Sequence, residues 1–295
     1  MAKIISRIAG GMGNQLFSYS AARRLALVNN AELILDDTSG FTRDYRFCRH
    51  YQLDHFNITS RKATKSERLE PLSRIRRFAK RAYNRRRPFE DRKYIQQKGV
   101  NFDHRLIKFK PRGTTYIEGY WQSEKYFLDV EQTLRADLRI IPPIDSPNLA
   151  IASAIQRRVA VAVHIRFFDA PQANETNNIS KDYYIRSIAE MERFVPNAHY
   201  FIFSDRPNAA RSQLKLPANR MTCISNNNGD INAYADLWLM SKCNHFIIAN
   251  STFSWWGAWL AETTNKCVIT PRGEVHDGIM SWGFDGLLPD KWIKI

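Results

Sequence analysis

The most restrictive feature of this sequence is a recurring order of short apolar, β-rich runs and helical patterns joined by tight turns. The first run is KIISRIA at residues 3–9, followed by Gly10-Gly11-Met12-Gly13 and a helical stretch at 14–28 with Leu16, Tyr19, Ala22 and Ala26 on one side. A second run, AELILDD at 31–37, follows directly. Strand, glycine turn, helix, strand is a βαβ unit, and a helical crossover implies parallel strands. The same order returns after Ile141-Pro142-Pro143-Ile144-Asp145-Ser146-Pro147, where Ser146 is expected to cap a helix with Pro147 at its first position. Strands are then predicted at 159–166, 199–205, 245–250 and 266–270, with helices near 183–194, 231–243 and 253–263. The chain reads as two α/β halves, residues 1–145 and 146–295, sharing architecture but no sequence repeat.

Charge separates one segment from both halves. Lysine and arginine number 44 against 29 aspartate and glutamate, a formal +15, and residues 61–93 alone hold 14 basic and 4 acidic side chains. A basic helical insertion is therefore expected at about 61–98, with Leu72, Ile75, Phe78, Ala79 and Ala82 at helical spacing among Arg74, Arg76, Arg77, Lys80 and Arg81. It reads either as a solvated insertion whose small apolar face packs on the domain, or as a peripheral contact with an anionic membrane. Nucleic acid is the weaker partner, because no zinc knuckle or RNA-recognition signature accompanies the charge. With 44% hydrophobic residues the chain is not disordered, and no window approaches the roughly 20 apolar residues of a membrane helix. Cys48, Cys223, Cys243 and Cys267 are scattered without metal-ligand spacing, so reduced thiols and a cytoplasmic location, peripheral on the inner membrane face, are expected.

Chemistry-bearing residues cluster where strands end. Gly11, Met12, Gly13 and Asn14 lie where a strand enters a helix, the place at which backbone N–H groups and the helix dipole accept a phosphate. It is not a P-loop, and as a dinucleotide fingerprint it has Leu16 where the third glycine belongs, although Asp36 or Asp37 imitates the ribose-binding acid. His164, Arg166 and Asp169 end the first strand of the second half, and Arg166 offers a planar fork suited to phosphate oxygens. Ser204 and Asp205 repeat that placement, as do Asn250, Ser251, Thr252, Phe253 and Ser254 before a helix. An Arg–Asp pair tying down a loop, Ser251 as a plain N-cap, and Trp255, Trp256 and Trp259 as core aromatics are the competing structural readings.

GGMGNQLFSYSAARRLA at Gly10, EGYWQSEKYF at Glu118, the His164-Ile165-Arg166 motif, FSD at Phe203 and DLWLMSKCNHFIIANSTFSWWGAWL at Asp236 resemble, in order, the bacterial α-1,2-fucosyltransferases of glycosyltransferase family 11. The blocks span about residues 3–272. The resemblance implies an α/β fold of the GT-B type, two Rossmann-like domains facing across a cleft, with the acceptor side in the N-terminal domain and the GDP-sugar in the C-terminal one. It implies inverting transfer of L-fucose from GDP-β-L-fucose to the 2-hydroxyl of a terminal β-galactoside in a surface glycan such as an O-antigen or lipid-linked oligosaccharide. Arg166 and Asn14 are implied as catalytic, with His164 and Asp205 near the guanosine and Asp169 orienting the Arg166 loop. No cofactor or metal is expected, since the chain contains no Asp-x-Asp motif. One departure stands out: the family usually reads HxRRGD, and Phe167 replaces the second arginine, a change that bears on donor-site geometry and sugar identity. Asp36, Asp37, Glu118 and Glu124 are placed as candidate general bases, none preferred. A transferase using another GDP-sugar or linkage, and an NAD-dependent oxidoreductase, are the alternatives.

Overall fold

The computed structural model describes residues 1–169, 178–227, 229–273 and 282–295. They divide into two compact units, Met1–Arg139 with Asp285–Leu287, and Ile140–Phe284 with Leu288–Ile295.

The first unit comprises β1 (Lys3–Arg7), α1 (Met12–Val28), β2 (Glu32–Asp36), β3 (Arg61–Lys62), α2 (Ser73–Arg85), β4 (Tyr94–Gln96), α3 (His104–Lys108), β5 (Thr114–Glu118) and α4 (Glu131–Asp137). Its strands pair in the order β3-β2-β1-β5-β4, each pair parallel. Ile4, Ile5 and Ser6 of β1 are all buried, as a central strand covered on both faces requires. Helix α1 starts on Gly11, which supplies no capping side chain, and buries Leu16, Phe17, Ala22 and Leu25. The strand order reverses between β1 and β5, so the loops that follow them share the unit's topological switch point.

Helix α2 forms where the basic periodicity predicts it, but with the opposite face inward. Arg77 and Asn84 are its buried residues, while Leu72, Ile75 and Phe78 are 66%, 63% and 69% exposed. Polar bonds hold it down. Arg77 Nη2 lies 3.0 Å from Asp36 Oδ2 and donates to the Arg68 carbonyl at 2.7 Å. The Asn84 Oδ1 accepts from the backbone N–H of Lys93 and Tyr94 at 2.7 and 3.2 Å. An insertion whose apolar face packs on the domain is thus corrected: Asp36, at the buried end of a central strand, recruits a cation, and the register that delivers Arg77 turns Phe78 outward.

The second unit contains α5 (Ser146–Gln156), β6 (Ala160–Ile165), α6 (Lys181–Phe194), β7 (His199–Ser204), α7 (Pro207–Gln213), β8 (Met221–Cys223), α8 (Ala233–Ser241), β9 (His245–Ile247), α9 (Thr252–Leu260), β10 (Val268–Thr270) and β11 (Ile293–Lys294). Its parallel sheet runs β11-β10-β9-β6-β7-β8. Counted from β6 as the first strand, that is the 3-2-1-4-5-6 order of the dinucleotide-binding sheet, with its switch point between β6 and β9. Every residue of β6 is buried, and Val161, Val163 and Ile165 pack with Tyr184, Met191, Tyr200 and Ile202. Asp145, not Ser146, caps α5: its Oδ1 accepts from the Asn148 N–H at 3.0 Å, the carboxylate being the stronger acceptor at a helix N-terminus.

Candidate functional site

The second unit gathers polar groups at its switch point. Arg166 lies one residue beyond β6 and Asp205 one beyond β7, and Arg166 Nη1 is 3.1 Å from Asp205 Oδ2. The other Asp205 oxygen accepts from the Phe167 N–H at 3.1 Å, so one carboxylate fixes both the loop and the direction of the cation. The Arg166 side chain remains 31% exposed and lies against the Phe168 ring. Asn178 braces the same loop, its Oδ1 accepting from the N–H groups of Phe168 and Asp169 at 2.7 and 3.1 Å. Ser204 Oγ accepts from the Arg206 N–H at 3.1 Å.

Beneath the loop, His164 is buried with its ring 5.6 Å from that of Phe253, which joins the end of β6 to the start of α9. Burial, then the charge of Arg166, pushes the His164 pKa down to about 3, so its imidazole is neutral near pH 7. Asn250 follows β9, and Ser251 is the N-cap of α9 without a side-chain capping bond. Instead Ser254 Oγ donates to the Ser251 carbonyl at 3.2 Å. The Ser251 side chain therefore does not itself cap the positive end of the α9 dipole, at Thr252 and Phe253, where an anion is favoured. Trp255 and Trp256 are fully buried and join Trp259 and Trp292 in an aromatic cluster, so they are core residues.

The first unit builds a second polar turn at its own switch point. Gly10 has φ +76°, and a Cβ there would stand 2.9 Å from Tyr120 Oη, so the turn out of β1 requires glycine. Buried Gln15 ties it down: its Nε2 donates to the carbonyls of Gly10 and His50 at 2.8 Å, and its Oε1 accepts from the Gln52 N–H at 2.9 Å. Asn14 Oδ1 accepts from Gln122 Nε2 at 2.8 Å, and Ser18 Oγ donates to the Gly119 carbonyl at 2.9 Å. The turn after β1 and the loop after β5 are thereby joined. The guanidinium of Arg49 lies over Gly11, where a Cβ would be 3.9 Å from its Cζ. Met12 and Gly13 are buried, so the Met12 side chain belongs to the core.

Residues 58–277 match the sequence profile described as Glycosyl transferase family 11. The chain belongs to that family. It is 30% identical to the alpha-1,2-colitosyltransferase of Escherichia coli across all of this chain and 99% of that protein. It is 29% identical to the O-antigen biosynthesis glycosyltransferase WbnK of Escherichia coli, over 90% of this chain and 93% of that one. The structure of the α-1,6-fucosyltransferase NodZ from Bradyrhizobium, soaked with GDP-fucose, aligns with a TM-score of 0.53 at 15% identity, covering 88% of this chain and 92% of that chain. The fold is accordingly the GT-B type, with two Rossmann-like units.

Within this family 11 glycosyltransferase, the phenylalanine in place of a second arginine has a structural explanation. Phe167 is 4% exposed and packs with Val163, Ile165 and Tyr184, so its side chain is directed into the core while that of Arg166 stays at the surface. Two candidate bases are occupied. Asp36 is buried against Arg77, with Ser39 also donating to it, and cannot present the ribose-binding acid of an NAD enzyme. Glu118 accepts from Tyr94 Oη at 2.6 Å and from Arg7 Nη1 at 3.2 Å. Asp37 accepts from Thr38 Oγ1 at 2.9 Å, and Glu124 opens a short 3-10 turn.

Sequence reading missed Arg49 and Gln122, which topology brings to the turn after β1, and Asn178, which lies in the loop after β6 itself without a pattern to mark it. It also passed over Asp236, although that residue heads the DLWLM block. Burial lifts the Asp236 pKa to about 7, offset in part by the bond from Asn227 Nδ2 at 2.8 Å.

Proposed function

We propose that this family 11 glycosyltransferase moves L-fucose from GDP-β-L-fucose to the 2-hydroxyl of a terminal β-galactoside in a surface glycan, with inversion and without a metal ion. The carrying observation is Arg166, held by Asp205 at the end of β6, the strand next to β9 and the turn into α9, whose N-cap Ser251 makes no side-chain capping bond. In this reading the acceptor oxygen attacks C1 of the sugar, and the C1–O bond to the β-phosphate breaks with its electron pair leaving on GDP. The charge that develops on the diphosphate is met by the Arg166 guanidinium and by the α9 dipole. The attacking hydroxyl loses its proton to water as the new bond forms, with no carboxylate of the chain assigned as base. Asp205 positions Arg166, and neutral His164 gives the phosphate site an uncharged floor that adds no competing charge.

The remaining assignments follow the same reading. Ser204, Asn250, Ser251, Thr252, Phe253 and Ser254 are assigned to the donor, with Asp169 shaping the Arg166 loop. Gly11 and Gly13 are likewise assigned to the donor, and Asn14 to its phosphate or sugar. The reading expects no metal, the sequence containing no Asp-x-Asp motif, and assigns the leaving-group charge to Arg166 and the helix.

The identity to an alpha-1,2-colitosyltransferase favours a second reading in which the donor is GDP-colitose. Colitose is fucose without its 3-hydroxyl. A site that hydrogen-bonds a hydroxyl rejects the deoxy sugar by about 10⁴-fold, whereas an apolar site discriminates only about tenfold. Competition between GDP-fucose and GDP-colitose for a β-galactoside acceptor, with the product linkage read by NMR, separates the two. A clear preference for GDP-colitose overturns the fucose assignment, and turnover of neither donor overturns both.

A further inference from the structure

Helix α2 combines three properties that ordinary helix-on-sheet packing does not. Its buried side is polar, held by Arg77 and Asn84, with Arg81 Nη1 3.8 Å from Glu118 Oε1. Its outer side is apolar: Leu72, Ile75, Phe78, Ala79, Ala82 and Tyr83 are all exposed. At 100° per residue, Ile75, Phe78, Ala79 and Ala82 fall within one stripe, an arc of about 100° on the side of the helix away from the buried Arg77 and Asn84. The stripe runs along a helix of 13 residues, roughly 20 Å.

Cations border this stripe. Arg74, Arg76, Arg85 and Arg86 are exposed around it. A cavity of about 460 Å³ beside the helix is lined by Lys3, Lys80 and Lys93, and its one carboxylate, Glu67, is bound by Arg61 at 2.7 Å. A second copy of the chain seated on the stripe would bring an equally cationic segment against this one, and the like charges would repel. An anionic lipid surface takes the apolar residues among its acyl chains and the bordering cations among its phosphates.

We infer that α2 docks this protein on anionic membrane, lying in the interface plane with Ile75 and Phe78 inserted and Arg74 and Arg86 on the headgroups. This surface is independent of the transfer reaction. It also separates the basic segment into two sets: Arg77 and Arg81 bond inward, joined by Arg76 and Arg85 through the Glu70 carbonyl and Gln96 Oε1, and Arg74 and Arg86 are exposed to the lipid.

The test is co-sedimentation of the full chain with vesicles of phosphatidylcholine alone and of phosphatidylcholine mixed with phosphatidylglycerol. Wild type is expected to sediment with the mixed vesicles only. Phe78→Ser and the pair Arg74→Glu, Arg86→Glu are each expected to weaken that binding at least about tenfold, with an unchanged melting midpoint because those side chains are exposed. Three results overturn the inference: wild type that ignores phosphatidylglycerol, a Phe78→Ser variant that binds as well as wild type, or a concentration-dependent dimer that Phe78→Ser dissolves while vesicles are not bound. Full binding by the arginine-pair variant also counts against it, since the bordering cations are what select lipid over a second copy.

Discussion

Replacing Arg77 by methionine asks how α2 is held. Arg77 and Asp36 form a pair with side chains only 8% and 4% exposed. Removing the cation strands a buried carboxylate, a change that costs about 3–5 kcal/mol. Asp36 retains the N–H groups of Thr38 and Ser39 and the Ser39 hydroxyl, which places this case at about 3 kcal/mol. At roughly 3 °C per kcal/mol for a unit of this size, the midpoint in scanning calorimetry should fall by about 9 °C. Asp36→Asn combined with Arg77→Met removes both charges and is expected to recover most of that loss. Phe78→Ser, one residue along, should cost under about 0.5 kcal/mol and move the midpoint by less than about 2 °C. An ordinary amphipathic helix gives the reverse order, since losing a buried phenylalanine costs about 3–5 kcal/mol. A Phe78→Ser midpoint as low as that of Arg77→Met would refute the inverted packing.

Asp205→Asn keeps an acceptor for the Phe167 N–H but loses the ion pair. Turnover is expected to fall about tenfold as Arg166 loses its aim, with the midpoint within about 2 °C of wild type because the pair is part-exposed. Gly10→Ala forces a non-glycine residue to φ +76° and against Tyr120, so it should destabilise by about 1–2 kcal/mol in urea denaturation. Asp236 titrates near pH 7 when folded and near its ordinary carboxylate value when unfolded, so the folded state binds more protons between those limits. Stability from this group is full at the acid end and is lost as pH rises toward 7. Asp236→Asn should therefore match wild type near pH 4 and exceed it near pH 8, by about 2 kcal/mol once partial exposure is allowed for.

The sequence made the long elements legible because their patterns are local. β6, β7 and α1 appear within about two residues of their expected bounds, since each is an unbroken apolar or 3.6-periodic run. β3, β8 and β11 have only two or three residues and little apolar character, so no pattern marks them. Sheet order also escapes a linear reading, and with it the fact that the glycine turn after β1 meets the loop after β5, through Asn14 and Gln122. Helix α2 is the instructive case. Its periodicity announces a helix correctly, yet which face goes inward was decided by Asp36, some forty residues earlier in the chain. Arg166 could be read as an anion ligand from its strand-end position, whereas its partner could not, because Asp169 is nearer in sequence and Asp205 is the one that pairs with it.

The most direct test of the proposed chemistry is transfer from GDP-fucose to a β-galactoside in excess EDTA, by wild type and by Arg166→Ala of matched folding. Wild type should turn over undiminished by the chelator and yield an α-1,2 linkage by NMR. Arg166→Ala should lose about 10²–10³-fold in kcat, the scale for removing a preorganised group that stabilises developing charge. Activity abolished by EDTA, or an Arg166→Ala variant that retains near-wild-type turnover, would contradict a leaving group stabilised by Arg166.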